Sequence, residues 1–137
     1  MHTIKIVVLF ISVILIAPFH ATAGDFDGSK PLIGAVLELY TCQANDKCEA
    51  VTVEEINFTQ FLMIDFKKAE ISGTRAGGEK LVTPIKNRTA QDGMLMLQGV
   101  ENGRGWTLSI TEATGKMVLT VSGDEVGFVA FGACIPK

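Results

Sequence analysis

Two acidic residues offer the most direct catalytic chemistry in this sequence. Asp65 and Glu38 each lie in an otherwise apolar run, and a carboxyl group among apolar neighbours can have a raised pKa and act as a general acid. Strand alternation places Asp65 on one face with Met63, and Glu38 on one face with Val36 and Tyr40. Such a face can also be an outer, solvated one. Asp65 and Glu38 are therefore weak catalytic candidates, and no residue is assigned a catalytic role outright.

A second candidate site surrounds the single tryptophan. Trp106 follows Arg104 by two residues in a glycine-rich stretch, and an aromatic ring beside an arginine can stack on a sugar or a planar ligand. The alternative is that Trp106 shares a strand face with Leu108 and Ile110 and fills the core, and the spacing favours it. Arg104 and Trp106 remain the ligand-binding candidates.

The first 23 residues have the pattern of an export signal. A short segment with one positive charge, Lys5, precedes the apolar run Ile6–Ile16, and Ala21-Thr22-Ala23 supplies the small residues of a cleavage site. The apolar run is shorter than the about 20 residues that span a bilayer. We therefore expect a cleaved signal peptide over residues 1–23. The mature chain then starts at about Gly24, carries no membrane span, and is periplasmic or secreted.

The positions of the two histidines narrow the possible functions. His2 and His20 both lie in the predicted signal peptide, so the mature 114 residues of the 137 contain none. This excludes mechanisms that use a Ser-His-Asp or Cys-His pair, and every histidine-ligated metal or haem. No metal or other cofactor is predicted, and the sequence leans away from an enzyme. The precursor net charge of −3 becomes −4 without Lys5, which disfavours nucleic acid as a partner.

Three cysteines remain in an oxidising compartment. Cys42 and Cys48 flank a short polar stretch that a disulfide would close easily, whereas Cys134 lies near the C-terminus. Spacing favours a Cys42–Cys48 bridge over Cys42–Cys134 but does not fix the connectivity. With the first pairing, Cys134 is a free thiol, and a buried cysteine that packs as a small apolar side chain is the favoured interpretation over a redox role.

The rest of the chain predicts a single all-β domain over residues 24–137. Short apolar or alternating runs are separated by turn residues, and Asn102-Gly103 is the strongest turn, since both residues tolerate positive φ. One helical turn is expected at Thr52–Thr59, where Thr52 and Glu55 have capping-box spacing. Eight strands are predicted, at Ile33–Cys42, Phe61–Phe66, Ala69–Thr74, Leu81–Thr89, Met94–Glu101, Arg104–Ile110, Lys116–Ser122 and Val126–Cys134.

Eight strands with short links indicate an antiparallel meander. Eight is also the number at which a meander can close into a small barrel and remove its edges. A small closed barrel is thus the preferred architecture, and a β-sandwich is the alternative.

Four stretches of the mature chain carry a resemblance to known sequences: Phe26–Leu32, Ile64–Phe66, Leu97–Trp106 and Gly127–Cys134. Together they resemble a family of small exported bacterial proteins of uncharacterised function. The resemblance covers nearly the whole mature chain but carries over no functional residue. It implies a fourth cysteine in relatives at the position of Gly34, paired with the equivalent of Cys134, which would leave Cys42–Cys48 as the bridge here. The overall scheme is also similar to small periplasmic lysozyme-inhibitor barrels.

These observations predict a binding or interaction module of the periplasm. The expected partner is a small apolar or saccharide ligand, or another protein of the cell envelope. A hydrolase that uses Asp65 and Glu38, and a purely structural envelope protein, are the alternatives.

Overall fold

A computed structural model describes residues 24–137, so the predicted signal peptide lies outside the described residues. The described chain is all-β and antiparallel, as predicted, and contains no helix. It has ten strands, at Leu32–Gln43 (β1), Glu49–Ala50 (β2), Phe61–Asp65 (β3), Glu70–Thr74 (β4), Lys80–Pro84 (β5), Asn87–Gln91 (β6), Met94–Glu101 (β7), Arg104–Thr111 (β8), Lys116–Ser122 (β9) and Val126–Pro136 (β10).

All ten strands belong to one strongly curled sheet. Its order is β5-β4-β3-β1-β10-β9-β8-β7-β6, with β2 paired to β1 off this path. Each neighbouring pair is antiparallel, and β1, the first strand, pairs with β3 on one side and with the last strand, β10, on the other. This is the strand order of an up-and-down barrel. The β-sandwich alternative, which needs two sheets, is not adopted.

The predicted strand Leu81–Thr89 is instead two strands, and the barrel ladder is interrupted there. β5 pairs with β4 and ends at Pro84, whereas β6 pairs with β7. Proline has no amide hydrogen to donate to a ladder, so the chain bends at this point. The Lys86 amide still donates to the Gln98 carbonyl at 2.8 Å. This bond continues the β6–β7 pairing, while the Ile85 amide donates to the Ala69 carbonyl at 2.8 Å, next to the β4–β5 pairing. No ladder joins β5 to β6 in the described residues, so the sheet is strongly curled and barrel-like without a continuous ladder between these two strands.

Leu37 forms a β-bulge in β1. Because of this bulge, the predicted face of Glu38 is wrong. Val36 pairs with Gly132 and Glu38 with Phe131, which leaves Leu37 as an extra residue. Because one added residue reverses the alternation, Val36 is buried whereas Glu38 is exposed. Val36 and Glu38 thus do not share a face.

The expected helical turn at Thr52–Thr59 is a set of turns rather than a helix. The capping box itself forms: the Thr52 amide donates to the Glu55 carboxylate at 2.6 Å, and the Glu55 amide donates to the Thr52 hydroxyl at 3.3 Å. The Phe58 amide then bonds to the Val53 carbonyl at 2.8 Å. This wide turn directs the chain back to the sheet edge instead of continuing a helix.

One apolar core fills the inside of the curled sheet. It is made by alternate residues of the strands, and Leu32, Leu95, Leu97, Leu108 and Ile110 are fully buried in it. Phe26 packs against this core close to Gly115, at the turn between β8 and β9. The segment before β1 therefore covers one end of the barrel, and the site described next lies at the other end.

Candidate ligand-binding site

A cavity of about 120 Å³ opens between the core and the uncovered end of the barrel. The turns β4–β5, β7–β8 and β9–β10 surround this end, together with the loop between β2 and β3. The surface of the cavity is mainly apolar. Its lining includes Leu39, Ile56, Phe58, Leu62, Ile71, Leu81, Trp106, Leu119, Val121, Phe128 and Ala130.

Trp106 forms one wall of this cavity and is also part of the core. Its side chain is only 6 % exposed, and its Nε1 donates a hydrogen bond to the Thr83 hydroxyl at 3.0 Å. The predicted Asn102-Gly103 turn is confirmed, with φ of 49° and 75°, and it places Glu101 opposite Arg104 in the ladder. Trp106 therefore both packs in the core and borders the cavity.

Arg104 lies at the rim of the same cavity. It is exposed, and its guanidinium carbon is 5.8 Å from the centre of the Phe128 ring, within the range of a cation–π contact. The two ligand-binding candidates from the sequence, Arg104 and Trp106, thus line one cavity.

A second arginine, which the sequence did not single out, lines the same cavity. Arg75 lies just after β4 and continues the inward alternation of Ile71 and Gly73, and its Nη1 donates to the Asn57 carbonyl at 3.3 Å. The inward alternation of β4 carries the signal for Arg75.

The rim carries more positive than negative charge. Arg75, Arg104 and one carboxylate, Glu101, line the cavity, which gives a formal charge of +1. Glu101 accepts a hydrogen bond from the Asn102 side chain at 3.3 Å. In residues 24–137, neither arginine has a carboxylate oxygen within 4.0 Å.

The two acidic candidates lie outside this cavity. Asp65 ends β3, and its Oδ1 accepts hydrogen bonds from the Lys68 and Lys67 amides, each at 3.0 Å. These amide contacts, with the two lysine charges, lower the pKa of Asp65, whereas a general acid needs a raised pKa. Glu38 is exposed on the outer face of β1 and accepts from the Tyr40 hydroxyl at 3.1 Å. The structure does not bring Asp65 and Glu38 to the cavity.

The cysteines follow the pairing that the sequence favours. Cys42 and Cys48 form a disulfide that joins the end of β1 to β2, while Cys134 is a free, buried thiol. The Cys134 thiol lies 3.6 Å from the Met117 sulfur, and burial raises its pKa to about 11. Such a thiol is protonated at neutral pH and is a poor nucleophile.

A metal-binding cluster and a membrane-spanning helix are both absent from the described part of the chain. No three His, Cys, Asp or Glu side chains there are grouped so that they could hold a metal ion. Residues 24–137 also contain no helix long and apolar enough to cross a membrane.

No family model, no curated protein and no solved structure matches this chain. The resemblance to a family of exported proteins stays a prediction from the sequence.

Proposed function

We propose that this protein is a binding module that holds a small apolar molecule, or the apolar part of a larger one, in the cavity at the open end of the barrel. The observation that carries the proposal is the apolar cavity of about 120 Å³ beside Trp106. An engineered apolar cavity of about 150 Å³ is large enough to bind benzene. A six-membered ring or a short alkyl chain is therefore the size of group that fits.

The proposal includes export to the periplasm. The predicted signal peptide supports it, and so does the Cys42–Cys48 bridge, since structural disulfides persist mainly in oxidising compartments. A hydrolase that uses Asp65 and Glu38 gains no support from the geometry, because neither carboxylate lines the cavity: Glu38 is exposed and Asp65 half-buried on the outer face of the sheet.

The test uses the fluorescence of Trp106, the only tryptophan of the chain. Titration with 1-octanol should change its emission in a saturable way, and the melting temperature should rise with probe concentration because the ligand binds only the folded chain. An emission that stays constant up to the solubility limit of the probe, with no shift in melting temperature, would overturn the proposal.

A pair of variants shows where the probe binds. Ala130 is buried and lines the cavity, so Ala130→Leu should fill part of it and weaken octanol binding. Ala133→Leu is the matched control, since Ala133 lies on the same strand but on the opposite, outer face. Equal octanol affinities in two folded variants would place the probe elsewhere and contradict the assignment of the site.

A further inference from the structure

The two arginines at the rim, Arg75 and Arg104, line the cavity rather than lying on the outer face of the barrel. Both continue the inward face of a strand beyond its buried part: Arg104 lies two residues before Trp106, at the start of β8, and Arg75 lies four residues after Ile71, just past the end of β4. Each therefore points its charge toward the space above the apolar cavity rather than outward from the barrel.

Neither guanidinium has its hydrogen-bonding capacity filled by the protein. A guanidinium has five N–H donors, and within residues 24–137 that of Arg75 makes one hydrogen bond, to the Asn57 carbonyl. Arg104 is placed by the ring of Phe128 rather than by an acceptor. Glu101 is the nearest carboxylate in sequence, directly opposite Arg104 in the hairpin, yet the two are more than 4.0 Å apart. Donors thus remain for an acceptor supplied from outside.

We infer that the ligand is an amphipathic anion, with an apolar body in the cavity and a carboxylate-type head bound between Arg104 and Arg75. This inference rests on the proposed function and adds the chemical class of the ligand. A guanidinium pairs well with a carboxylate because two parallel N–H donors match its two oxygens. Arg104 is exposed and Arg75 half-buried, so the head stays at the rim in contact with water. It therefore avoids most of the cost of burying a charge.

Three probes with the same eight-carbon chain separate the apolar contribution from the charge. At pH 7.4 and low salt, octanoate should bind about tenfold more tightly than 1-octanol, which is about 1.4 kcal/mol. Octylammonium should bind more weakly than 1-octanol. The preference for octanoate should shrink as salt is added, because salt screens charges near the surface.

Charge-neutralising variants then assign the effect to the rim. Arg104→Gln and Arg75→Gln should each lower octanoate affinity toward that of octanol, and should lower octanol affinity much less. Lys80→Gln is the control, since it removes one positive charge from the exposed outer face of β5, opposite Thr74. Its octanoate affinity should stay within about twofold of the original.

The outcomes distinguish this inference from the function on which it rests. Octanol that binds as well as octanoate, or arginine variants that weaken both probes equally, would overturn the anionic head while the apolar site stands. A chain that binds neither probe would refute the proposed function itself. Melting temperatures of all variants show whether a loss of affinity reflects a loss of folding.

Discussion

Gly99 determines where the indole of Trp106 can lie. The two residues are directly opposite each other on β7 and β8. A Cβ atom at Gly99 would overlap the indole ring and lie 2.6 Å from the Pro84 carbonyl oxygen. The absence of a side chain therefore lets the indole cross the strand and reach the Thr83 hydroxyl.

Replacing Gly99 by alanine should displace Trp106. We expect Gly99→Ala to lower the free energy of unfolding by about 1–3 kcal/mol, as other overpacked cores do. The tryptophan emission should shift to longer wavelength, and octanol affinity should fall. Urea unfolding followed by circular dichroism measures the first effect, and emission spectra measure the second.

Gly105→Ala is the control on the same hairpin. A Cβ at Gly105 would meet only the Ser122 hydroxyl, at 3.6 Å, which is an ordinary contact. This variant should leave both stability and emission close to those of the original chain. Equal effects of the two substitutions would show that Gly99 has no special role in placing the indole.

At the residue scale, the sequence predicts two residues of the candidate site, Arg104 and Trp106, but not Arg75 or Thr83. The core position of Trp106 followed from its alternation with Leu108 and Ile110, which is a local signal. The Thr83–Trp106 hydrogen bond joins strands that share no ladder, and Arg75 and Arg104 line one cavity although their strands, β4 and β8, are not neighbours in the sheet. Neither relation has a trace in local spacing, so the sequence alone could not predict it.

At the element scale, the bulge at Leu37 is the feature that the alternation pattern missed. The predicted strand Ile33–Cys42 is present, but an alternation that continues through Leu37 without a break places Glu38 on the face of Val36. With Leu37 as the extra residue, Leu39 points inward and is 4 % exposed, while Leu37 itself is 71 % exposed. The apolar sequence of the strand does not reveal which of its leucines is extra.

Deleting Leu37 should therefore be tolerated. Val36, Glu38 and Leu39 would then alternate in, out and in without a bulge, and the pairing with Gly132 and Phe131 would be kept. We expect a folded chain that loses only about 1 kcal/mol, the size of an average substitution. Circular dichroism and a urea melt of the deletion variant give the measurement.

Deletion of Thr107 from β8 is the contrasting case. It would turn Leu108 and Ile110 outward, and both are fully buried in the native fold. Exposing two such side chains costs about 3–6 kcal/mol, a large part of the stability of an ordinary domain. If deleting Leu37 is as damaging as deleting Thr107, the bulge is needed for the fold, and our account of it is wrong.

At the scale of the whole molecule, the ladder between β1 and β10 pairs the first strand with the last. Gly34 lies directly opposite Cys134 across this ladder, 100 positions away in the sequence. Opposed residues in antiparallel strands have Cα atoms about 4.5–5.5 Å apart, which suits a disulfide. A Cβ at Gly34 would lie 3.5 Å from the Cys134 sulfur and 2.8 Å from that of Met117. The flexible methionine can move aside.

Gly34→Cys should therefore form a second disulfide with Cys134. We expect the oxidised variant to have no titratable thiol after denaturation, against one for the original chain, and to be more stable by about 2–4 kcal/mol. Ala35→Cys is the control, because Ala35 lies on the outer face opposite Ala133 and should keep its new thiol free. Two reactive thiols in the unfolded Gly34→Cys chain would contradict the predicted contact.

The same crosslink tests how the molecule folds. All-β domains with pairings between distant residues fold in about milliseconds to seconds, because closing the long loop costs entropy before its contacts form. The crosslink removes that cost, so the oxidised Gly34→Cys variant should refold at least about tenfold faster than the original chain, in which the Cys42–Cys48 bridge is also intact. Stopped-flow fluorescence of Trp106 measures both rates. If oxidation slows only unfolding and leaves the refolding rate unchanged, the β1–β10 ladder forms after the rate-limiting step. Closure of the sheet would then be the last event of folding rather than its barrier.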